Sequence, residues 1–173
     1  QQGVERVVAV CAVGSIRSDL TPGSIVIPDQ IIDYTWSRDQ TFFEADLSKV
    51  THIDFMEPYS GAMREQLLEA AGQTGITVVP NGTYGATQGP RLETAAEINR
   101  MERDGCHMVG MTGMPEAALA RELGLDYAVI AVSANPAAGR GDGAISMAMI
   151  EKNLDDGMEK VRTILEQLIT TTC

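Results

Sequence analysis

Long hydrophobic runs are missing from this sequence: no stretch reaches about 18 consecutive apolar residues, so none is a candidate membrane-spanning helix. The first residues also lack the basic-then-apolar pattern of a secretory signal, which makes a reduced, cytoplasmic location the default expectation. Cysteine is scarce. Cys11, Cys106 and Cys173 are odd in number and irregularly spaced, which supplies neither a disulfide framework nor a CxxC metal signature. Cys11 lies in an apolar run and reads as a small buried hydrophobe. Excess positive charge is absent too: 13 Lys and Arg against 24 Asp and Glu leave a formal net charge of -11. Such a surface disfavours nucleic acid and anionic membranes as partners. A small anion is a different case, because two or three local donors can oppose the net field.

Several catalytic signatures are also absent. There is no GxxxxGK(S/T) phosphate loop, no GxSxG elbow and no GxGxxG after a strand. The segment Gly139-Arg140-Gly141-Asp142-Gly143 reads as a flexible loop without cofactor context. His52 and His107 have no adjacent ligand set, so zinc is not expected, and without a cofactor-binding motif no cofactor is expected either.

What is present describes an ordinary globular chain. Its 173 residues, 44% hydrophobic and 21% charged, suit one domain with a sizeable core spanning residues 1–173. Residues 7–13 are almost wholly apolar and predict a buried, parallel strand ended by Gly14. Very little precedes that run, and the chain opens on Gln1, a pattern expected of a chain that starts partway through a domain. Residues 24–32 are β-rich, but Pro28 makes them an irregular or peripheral strand. Residues 33–57 show little periodicity and form a long loop carrying Trp36, Phe42, Phe43, His52 and Phe55.

Helical spacing then covers residues 60–71, with Gly72 as the stop. Residues 76–79 and 108–111 predict short strands, and residues 127–132 a strong buried one. Thr94 and Glu97 form a capping box for a helix ending before Gly105, and Pro115 suits the first turn of another that stops at Gly124. A last helix runs from about Ser146 to Leu168. Short apolar strands alternating with helices give an α/β class with both faces of the sheet covered. Glycines fall after the strands, where open α/β sheets bind ligands.

Two long motifs go further. Gly82-Thr83-Tyr84-Gly85-Ala86-Thr87-Gln88-Gly89-Pro90-Arg91-Leu92-Glu93-Thr94 resembles the base-binding segment of purine nucleoside and methylthioadenosine phosphorylases. Val109-Gly110-Met111-Thr112-Gly113-Met114-Pro115-Glu116 is similar to the next signature of that family, at the expected spacing. Cys11-Ala12-Val13-Gly14-Ser15-Ile16 resembles its early strand and turn. Asp29-Gln30-Ile31-Ile32-Asp33 and His52-Ile53-Asp54-Phe55-Met56-Glu57-Pro58 resemble the methylthio branch, and the bacterial 5'-methylthioinosine phosphorylases in particular. The resemblance covers about residues 5–170.

That resemblance implies a mixed central sheet flanked by helices, phosphorolysis of a 6-oxopurine nucleoside, inorganic phosphate as co-substrate and a homotrimer. Carried over by position, Ala12 gives a backbone N–H to phosphate, and Thr112 its hydroxyl and N–H. Thr112 precedes the helix opened by Pro115, where free N–H groups favour an anion; the other reading is a plain helix cap. Met111 packs under the ribose and Tyr84 lines the nucleoside pocket, though either residue also suits a plain core. Leu92 takes a place on the purine face that many relatives give to an aromatic, so stacking is weaker. Glu93 accepts the base N1–H, although a surface carboxylate is comfortable there too, and Asn135 bonds O6 and N7. A carboxylate and an amide N–H match the donor and acceptor of a 6-oxopurine. A 6-aminopurine leaves them unpaired at about 1–3 kcal/mol each.

His52 matches a histidine that crosses to the neighbouring subunit's substrate, against the bland reading of an incidental loop histidine. Val109, Ile145 and Met147 are weaker candidates for the base and 5' pockets. The family's remaining phosphate ligands belong to a region before residue 7, so the chain alone is expected to turn over weakly or not at all. Arg17 and Arg91 have no assigned phosphate role. Inosine or guanosine phosphorolysis, hydrolysis of the same bond, and a non-catalytic purine-binding or assembly module stay open as alternatives.

Overall fold

The computed structural model describes residues 2–45, 50–141, 143 and 147–172. Ile145, Ser146 and Cys173 therefore lie outside the described residues. Strand β1 (Arg6–Ser15) lies beside β7 (Asp126–Pro136), parallel and paired along its whole length from Arg6 opposite Asp126 to Ser15 opposite Pro136. Around this pair the sheet is β3 (Gln30–Asp33), β5 (Thr83–Ala86), β6 (Met108–Gly110), β1, β7, β2 (Ile25–Val26) and β4 (Val78–Val79). It is mixed, because β6 and β2 run antiparallel to β1 and β7 respectively.

Period-2 alternation along β7 explains the layers. Tyr127, Val129 and Ala131 enter one core with Ala117 and Ala120 of α3 (Glu116–Glu122). Ala128, Ile130 and Val132 enter the other with α1 (Gly61–Thr74) and α4 (Met147–Thr172). A strand buried on both faces reads as the continuous apolar run seen here. On β1 the same alternation sends Cys11 and Val13 into the first core. Val10 and Ala12 are exposed, so the buried strand expected over residues 7–13 is buried along only part of its length. A third cluster seats α2 (Ala95–Asp104) through Ile98 and Met101 against Ile16, Cys106 and Val109.

Local chemistry accounts for most element ends. Thr94 and Glu97 form the expected capping box and Gly105 closes α2 in a left-handed conformation. Helix α1 is capped by Ser60 and continues past Gly72 to Gly75, whose φ of 72° supplies the left-handed stop. Pro28 splits the run of residues 24–32 into β2 and β3; β3 is peripheral, whereas β2 lies inside the sheet between β7 and β4. Strand β5 carries Thr-Tyr-Gly-Ala, neither apolar throughout nor alternating, and has no periodic signal in the sequence. Among the described residues no helix is long and apolar enough to cross a membrane.

Helix α4 comes close to the sheet at buried Gly157, where an added Cβ would sit 2.3 Å from Val132 Cγ1. Alanine normally gains about 1 kcal/mol over glycine inside a helix. Overpacking a stiff β-branched neighbour costs about 1–3 kcal/mol. Gly157→Ala is therefore expected to lower stability, read as a lower urea midpoint at unchanged m-value. The α2 cap is pH-sensitive in a defined direction. The Arg91 guanidinium, with the cap N–H of Thr94, holds the exposed Glu97 carboxyl down at about 2. Its stabilisation is complete above about 4.5 and is lost as pH falls from there through about 2. The stability difference between the wild type and Glu97→Gln should shrink to zero over that range.

Candidate active site

A register shift on β7 shapes the site. Val13 pairs with Ser133 and Gly14 with Asn135, so Ala134 is an extra residue opposite the β1 turn. Such a bulge bends the strand and re-aims the next side chain. Here both Ala134 and Asn135 reach one cavity of about 370 Å³. Asn153 of α4 fixes the bulge by donating its amide to the Ala134 carbonyl at 2.8 Å.

This cavity collects most of the residues singled out in the sequence. Ala12 comes from β1, Leu92 and Glu93 from the segment between β5 and α2, and Val109 from β6. Met111 and Thr112 follow β6, and Asn135 is the last residue but one of β7. Among the described residues that line it there is no cationic side chain. Arg17 pairs with Asp19 and Arg91 with Glu97, both away from this cavity.

Glu93 is half-buried, and one carboxylate oxygen accepts the Thr87 hydroxyl at 2.6 Å, which orients the group. Asn135 spends one amide N–H on the Pro136 carbonyl at 2.6 Å, leaving one N–H for a ligand. Leu92 is 52% exposed and offers an open apolar wall.

Three residues sit differently from their sequence-based places. Tyr84 is fully buried and does not line the cavity; its Oη lies beneath Thr112, 3.2 Å from both the Thr112 N–H and Oγ1. Gly110 makes room for that ring, since a Cβ there would meet Tyr84 Oη at 2.2 Å. The Thr112 N–H is consequently directed at Tyr84 rather than into the cavity. Nor does Thr112 stand at a helix start: the cap of α3 is Pro115, with no side-chain cap, and the helix has only 7 residues. What Thr112 offers an anion is its hydroxyl. If the Tyr84 O–H is directed to Thr112 Oγ1, the threonine keeps its own proton for a ligand.

Met147 is exposed at the start of α4 and outside the cavity; Ile150, most of a turn later, faces it instead. His52 is exposed and does not line the cavity of its own chain. Cys11 borders the floor, and burial pushes its thiol up to about 12, so it stays neutral and is no nucleophile. Val10, Ala134, Ala137 and Ala138 complete the wall without having been foreseen. Small apolar residues at strand ends carry no signal that separates pocket from core.

The sequence profile of the Phosphorylase superfamily matches residues 1–170. A protein of Pseudomonas syringae pv. tomato, named probable S-methyl-5'-thioinosine phosphorylase, is 52% identical over 99% of this chain and 70% of its own. Its namesake from Xanthomonas campestris is 53% identical over 97% of this chain and 68% of its own. Methylthioadenosine phosphorylase from Schistosoma mansoni, solved with adenine, superposes with a TM-score of 0.93 at 29% identity, covering 98% of this chain and 66% of that one. The chain thus spans about two thirds of these proteins' length, and with the fold, the motifs and the profile in agreement it belongs to the phosphorylase superfamily.

Proposed function

We propose that the protein catalyses phosphorolysis of 5'-methylthioinosine, yielding hypoxanthine and 5-methylthioribose-1-phosphate. The observation that carries this reading is the convergence of the Glu93 carboxylate and the Asn135 amide on one cavity with Thr112 and Ala12. A 6-oxopurine offers an N1–H to Glu93 and an O6 or N7 acceptor to the one free N–H of Asn135. The names of the Pseudomonas and Xanthomonas relatives support the methylthio group.

In the reaction the C1'–N9 bond breaks with its electron pair passing to the purine, a phosphate oxygen forms the new bond to C1' from the opposite face, and the proton lost by hydrogen phosphate balances the one gained by the purine. Charge accumulating on the ring meets the Asn135 N–H, an interaction stronger in the transition state than in the ground state. Thr112 Oγ1 and the Ala12 backbone N–H hold the phosphate near the ribosyl carbon, which lowers the barrier by positioning. Met111 and Val109 pack against the sugar and base, and Leu92 covers the purine face. Tyr84 acts from below, through Thr112. No cofactor takes part; inorganic phosphate is the co-substrate. His52 serves the 5' pocket of a neighbouring subunit in a homotrimer.

Hypoxanthine release by the intact protein is expected to require phosphate, with kcat/KM for 5'-methylthioinosine exceeding that for inosine. Release without phosphate would identify a hydrolase, and a preference for inosine would move the reading to a general 6-oxopurine phosphorylase. Asn135→Asp replaces the donor N–H with an acceptor. Each mismatched group is worth about 1–3 kcal/mol, or roughly 5- to 150-fold. The ratio of kcat/KM for methylthioinosine over methylthioadenosine is expected to fall by that factor. An unchanged ratio would remove Asn135 from base recognition.

A further inference from the structure

One charged side chain next to the cavity has no part in the chemistry above. Arg38 stands in the segment after β3, partly buried, and its guanidinium bonds to two separate pieces of the site. Nη2 donates to the carbonyls of Thr87 at 3.1 Å, Gln88 at 3.0 Å and Met111 at 3.0 Å, sharing its two N–H bonds among three acceptors. Nη1 donates to the Met114 carbonyl, and Nε to Gln88 Oε1 at 3.2 Å. All five acceptors are uncharged. A guanidinium satisfied only by carbonyls and an amide depends on keeping them in place, because losing a partner of a partly buried charge costs more than losing a neutral bond.

The acceptors fall on both sides of the substrate. Thr87 orients Glu93 through the 2.6 Å hydroxyl bond, and Gln88 follows it. Met111 and Met114 bracket the loop that presents Thr112. The planar fork therefore ties the carboxylate that reads the base to the hydroxyl that meets the anion. The backbone is bent to bring it there: Ser37, immediately before it, has φ 56°, the single non-glycine residue with positive φ among the described residues.

We infer that Arg38 is a positioning residue that couples the base subsite at Glu93 to the phosphate subsite at Thr112, through a guanidinium shared between Thr87–Gln88 and Met111–Met114. Displacing either segment strains bonds to the other, so a ligand ordering one side lowers the cost of ordering its partner. The inference rests on the phosphorylase reading for the identity of the two ligands.

Titration of the intact protein with hypoxanthine, with and without saturating inorganic phosphate, tests it. These two ligands bind without reacting, so the readout is independent of turnover. In the unsubstituted protein phosphate should tighten hypoxanthine by about 5-fold or more, within the usual range of coupling between sites. In Arg38→Gln the factor should fall below about 2-fold while each ligand alone still binds. Arg38→Lys keeps the charge but not the fork, and should give an intermediate factor; it carries the test if Arg38→Gln does not fold. Full coupling in either folded variant, or none in the unsubstituted protein, would overturn the inference. Phosphate-dependent cleavage of 5'-methylthioinosine, assayed in parallel on the unsubstituted protein, reports separately on the phosphorylase reading.

Discussion

The parallel pairing of β1 with β7 governs the rest of the molecule. The ladder runs the whole length of β1, and its one irregularity, at Ala134, decides where the cavity opens. Both strands end at the same edge, so the turn after Gly14 and the side chain of Asn135 meet there. Ligand crevices at the carboxyl ends of parallel strands follow from this arrangement, since the chain must leave the sheet there and its turns form the walls. Helices α1 and α4 seal one face beneath the crevice, whereas Val10 and Ala12 remain uncovered beside it. Gly157 allows α4 to seat against Val132.

Much of the polar capacity around the cavity is already engaged. Thr87 holds Glu93, Pro136 takes one N–H of Asn135, and Tyr84 occupies the N–H of Thr112. Each such bond removes a rotamer or a donor and leaves a smaller, better-directed set for the ligand. In the proposed reaction this is preorganisation in a concrete form: the groups assigned to developing charge are oriented beforehand and need not reorganise. The acidic composition is compatible with an anionic co-substrate for the same reason. The donors are local, and the cavity wall contributes a single carboxylate among its described residues, Glu93, whose partner in the proposed complex is a base N–H.

The two motif segments made the candidate cavity legible. Six of the residues they and the early strand nominate, with Asn135 from the end of β7, share one cavity although they come from four stretches of chain. Legibility ended where roles depended on depth or direction. Tyr84 lies beneath the cavity and not on its wall, and the N–H of Thr112 meets Tyr84 Oη instead of standing free at the start of α3. Ile150 and not Met147 faces the cavity, because helical phase and not sequence proximity selects the inward residue. Arg38 carries no signal in the sequence. It sits in a segment without periodicity, and all its partners are distant in sequence and four of the five are backbone carbonyls, which leave no pattern in side-chain identity.

By itself the sequence determined the class, most of the elements, and the donors and acceptors that Glu93 and Asn135 carry. Apolar runs, caps and glycine stops act over a few residues, and a carboxylate or an amide has the same donors and acceptors wherever it is placed. The tertiary structure alone decided which of those groups keep a free donor, and that the cavity opens at the Ala134 bulge. It also decided that a guanidinium from the segment after β3 closes the gap between the Glu93 and Thr112 segments. These outcomes depend on register and on contacts between residues far apart in the chain, and a hydrogen bond is specified only when both of its partners have been brought within about 3 Å.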